Sequence, residues 1–555
     1  MTTQHSSGAA VPWLVAGIAA GACATLGVGL LVMGAVRGDT PTAAMDPPQF
    51  VEQAESAGVD HVYDGEFTYF VGGGVGVLDC NDDGWSDLYL AGGVNPASLY
   101  RNESAIGEIA FAPVDDETAA LTGVTGAYPI DIDSDGITDL AVLRLGENVV
   151  LKGLGDCRFE RANEEWSIDG GDQWTVAFSA TWEGDAVLPT LAFGNYVELS
   201  PSSGEQTGRC SDHMLLRPSG RSYGDPTNLS PGWCTLSVLF SDWGRSGQRD
   251  LRTTNDRHYY RDGEEQLWKM AAGQPPRLYT HEEGWERMQI WGMGIASHDV
   301  TGDGLPEVFL TSQGDNKLQT LSGGPAQPTY EDIAFERGVT AHRPHTGDNT
   351  HPSTAWHPEF ADINNDRLID LFVSKGNVEA QPDYAEEDPS NLLLGQPDGT
   401  FVESAPDAGL VDFARGRGAA LVDLDLDGML DLVEVMRREP VRIWHNVGWG
   451  NEETPQPMGN WVQLRAAQPA PNVDAIGAFV TVRANGHTVE RELNVGGGHA
   501  GGQLGWLHFG LGDAERAEVR VQWPNGEVGP WMDLSANGFS VIERGAAEAI
   551  PWTPR

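Results

Sequence analysis

One nine-residue phrase returns along the chain at intervals of about 50 to 63 residues. It appears in full at 79–87, 131–139, 299–307, 362–370 and 423–431, in the pattern Asp-x-Asp-x-Asp-Gly-x-x-Asp or a close variant. A weaker copy spans Asp242 to Asp250, with Gly244 and Ser246 at its third and fifth positions, and a nearly erased one lies near Trp182-Glu183-Gly184-Asp185. Every copy has the same phase. A Gly-rich stretch such as VGGGVGVLD or GVTGAYPID precedes it, and an apolar run such as LYLAGG or LFVSKG follows. A polar turn then leads to another strand-like run, as in NVVLKG, NLLLGQ or VRIWHN. Several short strands per unit, separated by turns, is the pattern of a propeller blade. One blade cannot bury both faces, so neighbours have to stack and the ring has to close. Seven such units fill 51–450 and predict an all-β, seven-bladed β-propeller. Ring closure predicts that the segment near 441–446 shares a blade with the segment near 50–72.

The residue types within the phrase point to a hard cation. Ca2+ takes six to eight oxygens, and acidic or amide side chains at positions 1, 3 and 5 of a tight turn converge on one point. Glycine at position 6 permits the turn, and position 9 adds a carboxylate. Asp79, Asn81, Asp83 and Asp87 fit, as do Asp131, Asp133, Asp135 and Asp139, and Asp423, Asp425, Asp427 and Asp431. Asp299, Thr301, Asp303 and Glu307 fit with a weaker third position. Asp362, Asn364, Asp366 and Asp370 fit, but Arg367 replaces the glycine, which strains the turn or sets a cation beside the site. The expected complement is about five Ca2+ ions. The competing reading is that Asp and Gly merely make turns.

Composition agrees with cation binding. With 81 acidic and 34 basic residues the net charge is −47, which excludes nucleic acid as a partner by repulsion. Residues 1–36 hold no Lys, Arg, Asp or Glu, and 11–36 form an apolar run. As a helix that run would be about 39 Å long, enough to span a bilayer. The expectation is a membrane anchor at 11–36 after a short tail (1–10), with the body outside the cytoplasm, or a secreted protein if the segment is a cleaved signal. Residues 37–50 read as a linker. Sites of this kind in extracellular modules bind Ca2+ at about 10⁻⁴ to 10⁻³ M, which also favours the outside. Of five cysteines, Cys80, Cys157, Cys210 and Cys234 lie in the body. They admit three pairings, with Cys210–Cys234 favoured because the two flank one insertion rich in Gly and Pro.

The C-terminal part alternates apolar and polar residues in WVQLRA, AFVTVRAN, HTVERELNV, LHFGLG and AEVRVQWP. This predicts a small antiparallel β-domain at 460–545, after a linker at 451–459 and before a tail at 546–555. The repeats resemble FG-GAP/VCBS units, the blades of α-integrin propellers. NWV at 460–462, NVDAIGA at 472–478, LNVGGG at 493–498, HFGLG at 508–512 and VQWPNG at 521–526 resemble the ASPIC/UnbV domain. That order of domains resembles the cartilage acidic protein family. The resemblance implies an extracellular, calcium-binding matrix or surface role and no established reaction.

Other constellations are weaker. His342, His345, His351 and His357 crowd one polar insertion but match no standard metal spacing. Asp256, Arg257, His258 and Tyr259 read as a blade turn or a ligand pocket. GGGHAGG at 496–502 lacks the helix and lysine of a phosphate loop. No GxSxG, HExxH or Walker pattern occurs. The expectation is therefore a binding protein, not an enzyme, mediating adhesion to a protein or glycan ligand at the cell surface. The alternative is an exported lyase or hydrolase acting on polysaccharide.

Overall fold

In the computed structural model, residues 44–200, 204, 206–256 and 263–554 are described. The anchor or signal expected at 11–36 lies outside them. Among the described residues no helix is long and apolar enough to cross a membrane. Thr40–Arg555 form one compact unit.

The body is built mostly from four-stranded antiparallel meanders, the first of which gains Gly502–Gln503 as a fifth, parallel strand. The first sheet runs Val75–Leu78, Asp87–Leu90, Ser98–Asn102 and Phe111–Val114, and the second begins Val124–Ile130 and Asp139–Arg144. Third to sixth sheets begin at Thr175–Thr181, Thr235–Ser241, Gly292–His298 and Ala355–Ala361. The last comprises Gly416–Val422, Asp431–Met436 and Arg442–Gly448, and its outer strand is Gln49–Glu52 from the other end of the body. Phe50 pairs with Asn446 and Val51 with His445. The two ends of the repeat region thus meet in one sheet, which shares closure between distant segments. First strands of successive sheets neighbour one another in order, and Gly416–Val422 packs back against Val75–Leu78. These first strands are buried on both faces, which explains their small and β-branched residues, as in GRGAALV. The nine-residue phrases are the turns between first and second strands.

Disulfides join Cys210 to Cys234 and Cys80 to Cys157. The second of these links the first phrase to the outer hairpin of the second sheet.

The C-terminal domain packs two four-stranded sheets around Val462, Leu464, Val480, Val482, Phe509 and Val519. It is not purely antiparallel, as the alternation suggested: Asn460–Ala467 pairs in parallel with Gly538–Glu543. Alternation reports which face is buried and says nothing of strand direction. Residues 546–555 are more than a tail, because Ile550–Trp552 adds an edge strand beside Phe539–Val541. Trp552 there packs on Trp506 and Phe539.

Candidate metal centres

Within each phrase the four key positions have distinct work. The position-1 carboxylate caps the turn: Asp79 accepts from the N–H of Asp83 (3.1 Å) and Gly84 (2.9 Å), and Asp423 from Asp427 (3.1 Å) and Gly428 (2.9 Å). Position 9 clasps the loop to the third strand. Asp87 accepts from Cys80 N and Asn102 N, both at 2.7 Å, and Asp139 from Ile132 N (2.8 Å) and Gly153 N (2.9 Å). Asp370 and Asp431 repeat this with Ile363 and Gly395, and with Leu424 and Asn446. The degenerate copy keeps both devices. Asp242 caps Ser246 and Gly247, and Asp250 accepts from Met270 N. Positions 1 and 9 therefore fold the loop, and positions 3 and 5 are what the five full copies add. Near Trp182 the loop is tied by an ion pair instead, Arg217 to Glu183 at 2.9 Å.

Position 6 takes the left-handed backbone: φ is 88° at Gly84, 86° at Gly136, 85° at Gly304 and 91° at Gly428. Arg367 adopts the same conformation at φ 74°, an uncommon cost for a side chain with a Cβ. Its guanidinium lies beside Gly512 of the C-terminal domain.

Carboxylates of Asp131, Asp133 and Asp139 come within 4.8 Å of one another, as do those of Asp423, Asp425 and Asp431. Asp425 and Asp427 also converge with the His445 imidazole. Among the described residues the acidic groups of the other three phrases form no such triad. There Asn81 donates to Asp83 (2.7 Å), Thr301 to Glu307 (3.2 Å) and Asn364 to Asp366 (3.2 Å). Burial, and then like charge nearby, pushes the clustered acids upward: Asp87 to about 8, Asp131 to about 7 and Asp427 to about 8. Asp139, Asp362, Asp370, Asp423 and Asp431 rise well above the ordinary carboxylate range for the same leading reason. Buried acids so close together require protons or a cation. In the second phrase part of that need is met internally, because the Lys152 ammonium pairs with Asp133 and lies 3.2 Å from Asp135.

The C-terminal domain sits on these loops, which the sequence did not signal. Along Asn460–Ala467, Val462 and Leu464 enter its own core while Gln463 and Arg465 face the ring. Gln463 donates to Asp423, and Arg465 lies 3.3 Å from Asp79. Asn472 N donates to Ser134 (2.8 Å), and Arg249 donates to Gly477 O (2.7 Å). A Cβ on Gly428 would overlap the Trp461 indole, and one on Gly84 the Trp552 indole.

The GGGHAGG segment enters the ring axis. Val495, Gly496, Gly498, Gly501 and Gly502 bridge to Ala180, Leu239, Ile295, Ala127 and Gly76, each on the first strand of a different sheet. His499 accepts from Gly72 N (3.2 Å) at Nε2, so Nδ1 carries the proton facing Met293 O (3.1 Å). Burial lowers its pKa to about 3 and keeps it neutral. Glycine is required there because a Cβ on Gly501 would overlap the backbone of Val75. A cavity of about 560 Å³ remains between ring and domain, lined by His298, Glu359, Arg491 and Gln503.

The insertion histidines disperse. His342 meets Asp315 (2.6 Å), His345 meets Ser390 O (3.0 Å) and His357 accepts from His499 N (3.0 Å). Arg257, His258 and Tyr259 lie outside the described residues.

Comparison with known proteins accords with this architecture. The family described as ASPIC and UnbV matches residues 468–549, and the FG-GAP-like repeat matches 79–142. Cartilage acidic protein 1 of Mus musculus is 23% identical over 508 residues, covering 85% of this chain and 73% of its own length. That of Homo sapiens is also 23% identical over 508 residues, covering 85% and 71%. A solved chain of BBS1N in complex with ARL6DN aligns at a TM-score of 0.39 and 12% identity, over 70% of this chain and 94% of that one, a level that carries no argument. The chain thus joins FG-GAP-like repeats to a C-terminal ASPIC and UnbV domain, and over most of its length it is similar to the cartilage acidic proteins.

Proposed function

We propose that the protein is an extracellular, calcium-binding, seven-bladed propeller that binds a protein or glycan ligand at the cell surface or in the matrix. The observation that carries the reading is the convergence of carboxylates, all but Asp133 buried, at Asp131, Asp133 and Asp139 and at Asp423, Asp425 and Asp431. Such groups repel one another until a dication joins them, and oxygen-rich loops suit Ca2+. Five loops carry the ligand types, so about five ions are expected. Calcium acts structurally here, tying the loops, several of which lie beneath the C-terminal domain, and leaving the remaining surface for recognition. The kinship with proteins named for cartilage, and two disulfides, favour a location outside the cytoplasm. A binding role is proposed over a catalytic one.

The test is binding of the purified protein to immobilised matrix proteins and glycans, with calcium and with EDTA. Saturable, calcium-dependent retention without change in the ligand is the expected result. Cleavage of a bound glycan, abolished by one substitution outside the ion loops, would overturn it.

A further inference from the structure

The ion loops are not equivalent, and the difference lies on the third strand of each sheet. The residue just before the clasped backbone N–H is Arg101 in the first sheet, Lys152 in the second, Leu394 in the sixth and His445 in the last. In the second sheet this residue reaches positions 3 and 5 of the loop, where Lys152 meets Asp133 and Asp135. In the last sheet the same place holds His445, facing Asp425 and Asp427, the same two positions. Arginine, lysine and leucine cannot ligate a cation. A neutral imidazole can.

Three features mark His445 as a ligand. It is 1% exposed, and neither ring nitrogen has a hydrogen-bond partner. Asp425, fully buried, likewise leaves Oδ2 without one. Yet Nε2 and that oxygen are 3.0 Å apart. They are close without the alignment of a hydrogen bond. Buried polar groups are rarely left so. Two donor atoms so close can bind one cation together, and one of them is an imidazole nitrogen, whereas Ca2+ takes oxygen. Imidazole suits transition metals and carboxylates suit harder ions, so the mixed donor set lies between.

We propose that the 423–431 loop with His445 is a mixed carboxylate–imidazole site that prefers a first-row transition dication such as Zn2+ or Mn2+ over Ca2+. The ligands are Asp425, Asp427 and His445. Asp423 and Asp431 remain bound to the loop backbone. This rests on the loop being a cation site and departs from the calcium reading for this loop alone.

Equilibrium dialysis of the metal-free full chain against Zn2+ in excess calcium, with metal analysis, tests it. The wild type is expected to retain one Zn2+ per chain. His445→Gln should weaken that binding at least tenfold, since even outer-shell losses cost 10–100-fold. His445→Glu, which restores an oxygen donor, should shift the site toward calcium and guards against misfolding of the glutamine variant. His342→Gln, a substitution in the insertion, should change nothing. Equal zinc retention by wild type and both His445 variants would overturn the proposal, as would complete displacement of zinc by calcium in the wild type. Calcium is counted at the other four loops in the same samples. Zinc bound through His445 with no calcium elsewhere would sink the calcium reading and leave this inference standing.

Discussion

The Arg465 guanidinium lies 3.3 Å from the Asp79 carboxylate, so the C-terminal domain touches the first residue of the first ion loop. It also stacks over the Trp506 ring at 4.4 Å. Arg465→Gln loses both contacts. A charge-assisted hydrogen bond and a cation–π pair, discounted for partial exposure, amount to about 1–2 kcal/mol. Urea unfolding should show that loss, and an unchanged midpoint would mean that the domain docks without this contact.

Lys152 supplies an internal cation to the second loop, where an incoming dication has to displace it from Asp133 and Asp135. Lys152→Met should therefore tighten Ca2+ at that loop by about 1 kcal/mol, roughly fivefold, and lower the stability of the calcium-free protein. Calorimetric titration reads the first effect and thermal melting the second.

Clasp and ligand positions separate by mutation. Asp431→Ala leaves the buried N–H groups of Leu424 and Asn446 without their acceptor, at a cost of about 2–5 kcal/mol with or without calcium. Asp427→Asn keeps the clasp, should remove ion binding at the loop and, by removing one of the repelling buried acids, should raise calcium-free stability near neutral pH. Equal destabilisation by both in EDTA would contradict the division of labour.

Stability should fall with rising pH in a way that calcium relieves. Burial holds Asp87, Asp131 and Asp427 near 8, 7 and 8, above the unfolded value of about 4. A raised carboxyl binds its proton more tightly when folded. It costs nothing below the unfolded pKa, and the cost accrues as pH rises through the folded value. The calcium-free protein should lose stability between about pH 4 and 8. Saturating calcium should relieve that loss at the loops near pH 8, and below about pH 5 the two melting curves should converge as protons displace the ion. Parallel curves at all pH values would contradict it.

The all-β repeat was legible because its signal is local and repeated: the loop phrase, its phase and the strand that follows survive even in the copy at Asp242. That the segment near 441–446 shares a sheet with the segment near 50–72 followed from closure alone; the pairing of Phe50 with Asn446 itself had no signal. The docking of the C-terminal domain was not legible. Gln463 and Arg465 look like the solvated face of an ordinary strand, and only their partners, Asp423 and Asp79, some 40 and nearly 390 residues away, reveal otherwise. GGGHAGG reads as a turn because flexibility is all that glycine reports; its place in the axis depends on backbone contacts with five sheets. His445 was missed for a related reason. It lies on the next-but-one strand from its loop, and the clue was its position just before Asn446, equivalent to Lys152.

The central claim is that dications bound by the repeated loops hold the ring together. Calorimetric titration of the metal-free protein with Ca2+, with bound ions counted and melting followed, tests it most directly. About five ions per chain and a melting temperature that climbs with calcium are predicted, since a ligand at 100 times its Kd adds about 2.7 kcal/mol per site. No bound calcium, or binding that leaves the melting temperature unchanged, would contradict it.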